Sequence, residues 1–243
     1  MSPTVPAKIG FIGSSAPSSP HHDSFRAFIP KDIDFTFVQE TANASGDDDP
    51  GKLDALVSQT VELAGQNKWD GVIISGAPKE VFNPTMWDRL TSAVKVPVAT
   101  ALRSSVAALK VFSAKRILLM TPVDDELKKM YRNFLAGFGI AAVYPPQTLR
   151  HRTDAVKLTA ADVESLTIKT FGDYPGVDAI YFQGALLDPL KVLDKMEAEL
   201  KVPIVASNPA MLWFVLSKLG LRYEIAGYGK LLSSWPPVPA DPL

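Results

Sequence analysis

Two stretches of the sequence end an apolar run in a glycine corner: GVIISGA, carrying Ser75, Gly76 and Ala77, and AIYFQGA, carrying Gln183, Gly184 and Ala185. A strand tip followed by glycine can turn main-chain N–H groups into a crevice, and the missing Cβ lets a ligand come close. The side chains at these tips are not titrating groups. A lone serine hydroxyl is too weak an acid or base near neutral pH, and the Gln183 carboxamide can only orient a carbonyl or a water. Such a pair of corners suits the holding of a negatively charged group.

Other polar residues fall near the same tips. Lys79, in GAPKE, is the nearest cation after the first corner; it can bind a carboxylate or, if desolvated, donate a proton, while Glu80 beside it competes with a helix-start role. The loop GSSAPSSPHHDSF follows the first strand, which places Ser14 and Ser15 at the ligand edge and offers His21 or His22 as a proton donor near neutral pH. Thr121 ends another strand. Thr100, Ser207 and Asn208 precede helices whose N-termini beginning near Arg103 and Pro209 add positive dipole ends. His151 sits in a connection that reads as surface, and Asp47, Asp48 and Asp49 read as a helix-entry loop rather than a metal site.

The elements needed to position these residues follow from the pattern. Short β-branched or apolar runs at Lys8–Ile12, Ile33–Val38, Gly71–Ser75, Val96–Ala99, Arg116–Thr121, Ala141–Tyr144, Ala179–Phe182 and Pro203–Ala206 alternate with helical periodicity. The expected helices are Pro50–Gln66, Pro84–Ala93, Arg103–Phe112, Asp124–Gly137, Ala160–Phe171, Pro189–Leu200 and Pro209–Leu219. That alternation predicts βα units and a mostly parallel sheet. Thr159 with Asp162, and Asn208 before Pro209, read as helix starts, Asp124–Glu126 as a capping run, and Gly220 as a helix stop.

A duplication is stronger evidence than periodicity. WDGVIISGAPKEVF…AVKVPVATALRSSVAALK matches VDAIYFQGALLDPL…ELKVPIVASNPAMLWFVLSK 108 residues on, pairing Asp70 with Asp178, Ser75 with Gln183, Gly76 with Gly184 and Thr100 with Ser207. The expected architecture is therefore α/β, with two pseudo-symmetric Rossmann-like parallel-sheet halves and the active site in the crevice between them. The first half spans residues 1–113, with segment 208–243 returning to it; the second spans 114–207.

Composition narrows the chemistry. The 243 residues are 47% hydrophobic and 21% charged, with a formal net charge of −1, which gives no basic track for nucleic acid. No apolar run approaches the ~20 residues of a membrane span, and the start MSPTVPAKIGFIG lacks the features of a signal peptide, so a cytoplasmic protein is expected. There is no cysteine and there are three histidines, which removes thiolate nucleophiles, thiolate metal sites and disulfides, and argues against a histidine-built metal centre. No metal and no cofactor is expected. The expected partner is a small carboxylate, on a monomer or homodimer.

The pieces KIGFIGSSAP, DGVIISGA, LLMTPVDDELKKMYRNFL, DAIYFQGALL, KVPIVASNPAMLWFVLSKLG and AGYGKLL, in this order, resemble the aspartate/glutamate racemase superfamily, and most closely its arylmalonate decarboxylase and maleate isomerase branch. The resemblance implies cysteines at the duplicated tips, both used by racemases and only the second kept by the decarboxylases. Ser75 and Gln183 occupy those positions, so a two-thiol racemase mechanism is excluded. It also implies donors that hold a carboxylate and stabilise an enediolate as carbon dioxide leaves, with Ser14, Ser15, Gly76, Ala77, Thr121, Gly184, Ser207, Asn208 and Tyr228 as contacts. Tyr228 would close over the pocket. Pro122 stands where the decarboxylases present a tyrosine hydroxyl. The leading expectation is a cofactor-independent decarboxylase acting on a small carboxylic or β-carbonyl acid, with Ser75, Gln183, Lys79 and His22 as its reactive residues. A dehydratase, retro-aldol enzyme, isomerase or cyclase on the same scaffold, and a non-catalytic carboxylate-binding protein, stay as alternatives.

Overall fold

In a computed structural model that describes residues 6–19, 22–41, 50–146 and 152–239, the duplication appears as two sheets with the same strand order. Strands β1 (Ala7–Gly13), β2 (Ile33–Gln39), β3 (Gly71–Ile74) and β4 (Val98–Thr100) form one parallel sheet in the order β2-β1-β3-β4. Strands β5 (Arg116–Met120), β6 (Ala141–Val143), β7 (Ala179–Phe182) and β8 (Ile204–Ala206) form the other in the order β6-β5-β7-β8. The repeated aspartates explain part of the matching geometry. Asp70 accepts the Lys8 N–H at 2.8 Å and Asp178 accepts the Lys115 N–H at 2.9 Å, so each fixes the start of the neighbouring strand. At the other end, Ser75 N–H donates to the Ile12 carbonyl and Gln183 N–H to the Met120 carbonyl. Both corners are thereby set at equivalent heights.

Helices follow the strands: α1 (Asp23–Arg26), α2 (Pro50–Asn67), α3 (Ala77–Phe82), α4 (Met86–Ala93), α5 (Ala101–Val111), α6 (Asp125–Gly137), α7 (Ala160–Asp173), α8 (Leu193–Leu200), α9 (Ser207–Lys218) and α10 (Lys230–Ser234). Thr159 and Asp162 form the expected capping box on α7, and Asp124 accepts the Leu127 N–H at the start of α6. Helices α5 and α9 pack against each other, and each also reaches the other half: α9 lies on β3 and β4, α5 on β8. Alanines and serines on α5 allow a close approach, while α9 is apolar on nearly every face and buried from Pro209 to Leu216.

Several boundaries differ from expectation. β4 runs into α5 and β8 into α9 with no loop, so both helices begin at the strand tip and Asn208 lies inside α9, with Ala206 in the capping position. The expected helix at 84–93 is preceded by the separate α3, whose six residues directly behind Gly76 are too few to show a period. The proline-rich tail has no regular structure through residue 239 but is tied down, with Trp213 Nε1–H donating to the Pro236 carbonyl at 2.8 Å. Among the described residues no helix is long and apolar enough to cross a membrane.

Candidate active site

The C-terminal tips of the two sheets face a common cleft of about 470 Å³. Ser75, Gly76 and Ala77 line it from one side and Gln183, Gly184 and Ala185 from the other. Gly76 has φ +106° and Gly184 φ +88°, backbone conformations that an L side chain resists, which is the local reason each strand must be followed by glycine. Ser14 and Ser15 reach the cleft from the loop after β1, Thr121 and Pro122 from the end of β5, and Ser207 and Asn208 from the start of α9. The walls between these donors are apolar: Phe11, Phe25, Val123, Leu186 and Met211. No aspartate or glutamate is among the lining residues described, so an anion meets no repulsion from the wall.

Lys79 lines the cleft but is not an isolated cation. Its ammonium pairs with the buried Glu40 carboxylate and donates to the Ser75 carbonyl at 3.0 Å. Glu40, at the end of β2, was not singled out from sequence; its only signal is its place just past a strand tip, where its N–H donates to the Gly13 carbonyl. His22 is buried at the cleft, with its ring 4.5 Å from that of Phe37 and 5.4 Å from that of Phe11. His21, His151 and Asp47–Asp49 lie outside the described residues.

Two expected contacts sit elsewhere. Tyr228 is not part of the cleft wall: its hydroxyl donates to the Ala27 carbonyl at 3.3 Å and its ring packs 5.3 Å from Phe28. Thr100 is turned away to donate to Glu80 Oε2 at 2.8 Å, and Leu102 N–H donates to Glu80 Oε1 at 2.6 Å. Glu80 therefore caps the first turn of α5 from behind the cleft rather than lining it. Burial pushes its carboxyl up to about 7, against the opposing pull of the Leu102 amide, the Thr100 hydroxyl and the nearby Arg103. Gln183 Oε1 accepts from Thr121 Oγ1 at 2.9 Å, and Ser207 Oγ lies 3.1 Å from the Tyr181 hydroxyl, whose acidity burial suppresses.

The profile of the arylmalonate decarboxylase family matches residues 71–232, more than half of the chain and the part holding both corners. The chain belongs to this family. A curated arylmalonate decarboxylase of Bordetella bronchiseptica is 22% identical over 192 residues, covering 75% of this chain and 80% of that protein. The fold is similar to that of unliganded arylmalonate decarboxylase, with a TM-score of 0.81, 21% identity and coverage of 94% of this chain and 99% of that one. It is also similar to a cysteine-to-alanine variant of maleate isomerase from Pseudomonas putida S16, solved with maleate, with a TM-score of 0.71, 16% identity and coverage of 93% and 97%.

Within the arylmalonate decarboxylase family, this chain carries a carboxamide at the second tip, where the resemblance implies the one cysteine that the decarboxylases keep, and a hydroxyl at the first. The corners, the helix starts and the apolar wall are present; a thiol acid is not, because the sequence contains no cysteine. What the arrangement can do without one is bind an anion with neutral donors and place it against an apolar surface and a single paired ammonium.

Proposed function

We propose that the protein is a cysteine-free, cofactor-independent decarboxylase of a small carboxylic or β-carbonyl acid. The observation that carries this reading is the convergence of two positive-φ glycine corners on one cleft with no acidic residue in its described wall. A carboxylate pressed against Phe11, Phe25 and Val123 loses its hydration, and breaking its C–C bond sends the electron pair into the neighbouring acyl group. The oxygen that gains charge is met by main-chain N–H groups of the corners, fixed before the reaction begins.

The reaction then needs one proton. A lysine ammonium has three donors; Lys79 commits one to Glu40 and one to the Ser75 carbonyl, which leaves a third for the cleft that it lines. Transfer of that proton to the carbanion leaves a neutral amine, which water recharges. A small dicarboxylate in a related maleate isomerase fold supports a ligand of this size and charge.

The test is to incubate purified protein with substituted malonic and β-keto acids bearing a labelled carboxyl, before and after dialysis against a chelator. Labelled carbon dioxide at equal rates in both samples is expected. No release from any of these acids removes the decarboxylase, and loss after dialysis removes the cofactor-free mechanism.

A further inference from the structure

The carboxylates around the two corners fall into two kinds, and most of them hold the chain itself. Glu80 spends both oxygens at the start of α5, on the Thr100 hydroxyl and the Leu102 N–H. Asp188, its counterpart in the duplicated sequence, accepts from Ser24 Oγ at 2.5 Å and from the Leu190 N–H at 3.0 Å. Asp70 and Asp178 accept the N–H groups that start neighbouring strands. Glu40 differs. It is 4% exposed, its Oε2 takes the Lys79 ammonium, and its Oε1 is buried with no partner among the described residues. Its own N–H donates to the Gly13 carbonyl at 2.8 Å, which fixes the residue beside the tip of β1, and it is not among the described residues that line the cleft.

A pair buried this deeply is weak grounds for stability, because two charges leave water for one contact and an apolar pair of similar size often serves the fold as well. What the pair does is keep the ammonium charged, since burial without a counter-charge favours a neutral amine. It also sets direction. Lys79 Nζ donates to Glu40 Oε2 from the end of β2 and to the Ser75 carbonyl at 3.0 Å from the tip of β3. With two of its three N–H bonds held from two strands, the ammonium has one left, and Lys79 lines the cleft. The Ser75 carbonyl alone would hold it at a single point. Other ionisable neighbours are engaged elsewhere or carry no anion. Glu80 faces α5, with Arg103 near it and Asp88 of α4 near Arg103, while on α6 Lys128 pairs with Asp125. Tyr131 and His22 share the cleft wall.

We infer that Glu40 is the positioning residue for proton delivery: from outside the cleft it keeps Lys79 charged and points the remaining N–H at the carbon that gains the proton. The inference rests on the decarboxylase reading for what Lys79 does, and not for how Glu40 holds it. Its consequence is that a residue with no contact to the substrate sets how far into alkaline pH the reaction runs.

The experiment has two arms, both on the full-length protein. The first needs no turnover. Trace acetic anhydride, which acylates only neutral amines, is applied at pH 8, and acetylation of Lys79 is read by peptide mass spectrometry against the exposed Lys129. Glu40→Gln should raise it about 10-fold, and Glu40→Asp, which keeps the charge while loosening the same packing, less than about 3-fold. Glu40→Met takes the place of Glu40→Gln if that variant fails to fold. Equal acetylation in wild type and Glu40→Gln, or an equal rise in both variants, overturns the inference, the latter because it would report access rather than charge. The second arm follows release of labelled carbon dioxide against pH. Glu40→Gln should lower kcat about 30-fold at pH 9 but only about 3-fold at pH 6, with KM within about 3-fold, and Glu40→Asp should recover most of the loss. In a Lys79→Met background Glu40→Gln should add nothing. A loss of the same size at both pH values, or one confined to KM, overturns the positioning role. No carbon dioxide from the wild type, with the acetylation difference intact, removes the decarboxylase and keeps the hold of Glu40 on Lys79. Release unaffected by Glu40→Gln does the reverse.

Discussion

Glu80→Gln should reshape the pH dependence of stability rather than simply lower it. In the folded protein the Glu80 carboxyl titrates near about 7, against an ordinary value of 4.5. A raised carboxyl binds its proton more tightly folded than unfolded, so the folded state loses stability as pH rises from about 4.5 and the loss is complete just above pH 7. At about 1.4 kcal/mol per unit, the total is about 3 kcal/mol, of which about 2.5 falls between pH 5 and pH 8. The substitution removes the titration, keeps an acceptor for the Leu102 amide, and costs about 1 kcal/mol for the weaker capping contact. Urea unfolding at pH 5, 6, 7 and 8 should therefore give two curves that cross: the variant equal or slightly less stable at pH 5, and about 1–2 kcal/mol more stable at pH 8. Parallel curves would refute the account, because they would mean that Glu80 is ionised at no cost in its buried position.

The remaining expectations concern the cleft. Ala at Gly184 meets no atom within 4 Å but must adopt φ +88°, whereas Ala at Gly76 must adopt φ +106° with its Cβ 3.0 Å from Lys79 Nζ. Both should lose about 1–2 kcal/mol of stability from backbone strain, and Gly76→Ala should lose the larger share of kcat by displacing the ammonium; steady-state kinetics and urea melts check the two effects separately. Lys79→Met should lower kcat at least about 100-fold, in the range expected for a lost general acid, and leave phenylacetate binding within about 2-fold; equal kcat would assign the proton to another group, His22 first. Glu40→Gln should destabilise by about 3 kcal/mol, since it leaves a buried ammonium without its counter-charge, and a urea midpoint unchanged from wild type would contradict the pairing.

Much of the architecture was legible because the chain repeats itself. Asp70 and Asp178, the two glycine corners and the two Lys-Val-Pro runs align without reference to any structure, and the two sheets do share one strand order, which the structure supplies. Residues just past strand tips were found for the same reason: the C-terminal edge of a parallel sheet is where a ligand can reach main-chain donors. What escaped was non-local. Glu40 is 39 residues from Lys79, and nothing in the sequence joins them. Thr100 and Ser207 are sequence equivalents, but Glu80 draws one away from the cleft, while the other lines the cleft with its hydroxyl paired to that of Tyr181 and no carboxylate from Asp188. Tyr228 sits in a glycine-flanked segment consistent with closure, yet Phe28 and the Ala27 carbonyl hold it elsewhere. Helix α3 was missed because six residues cannot display a 3.6-residue period.

The crossed packing of α5 and α9 has a consequence for how such a protein can be taken apart. Each copy of the repeat lends a helix to its twin, so a polypeptide severed between Val111 and Arg116 would yield two pieces that each lack part of their own interior covering. Mixed together, the two pieces are expected to cover one another's exposed interior, and their association would be read as heterodimerisation.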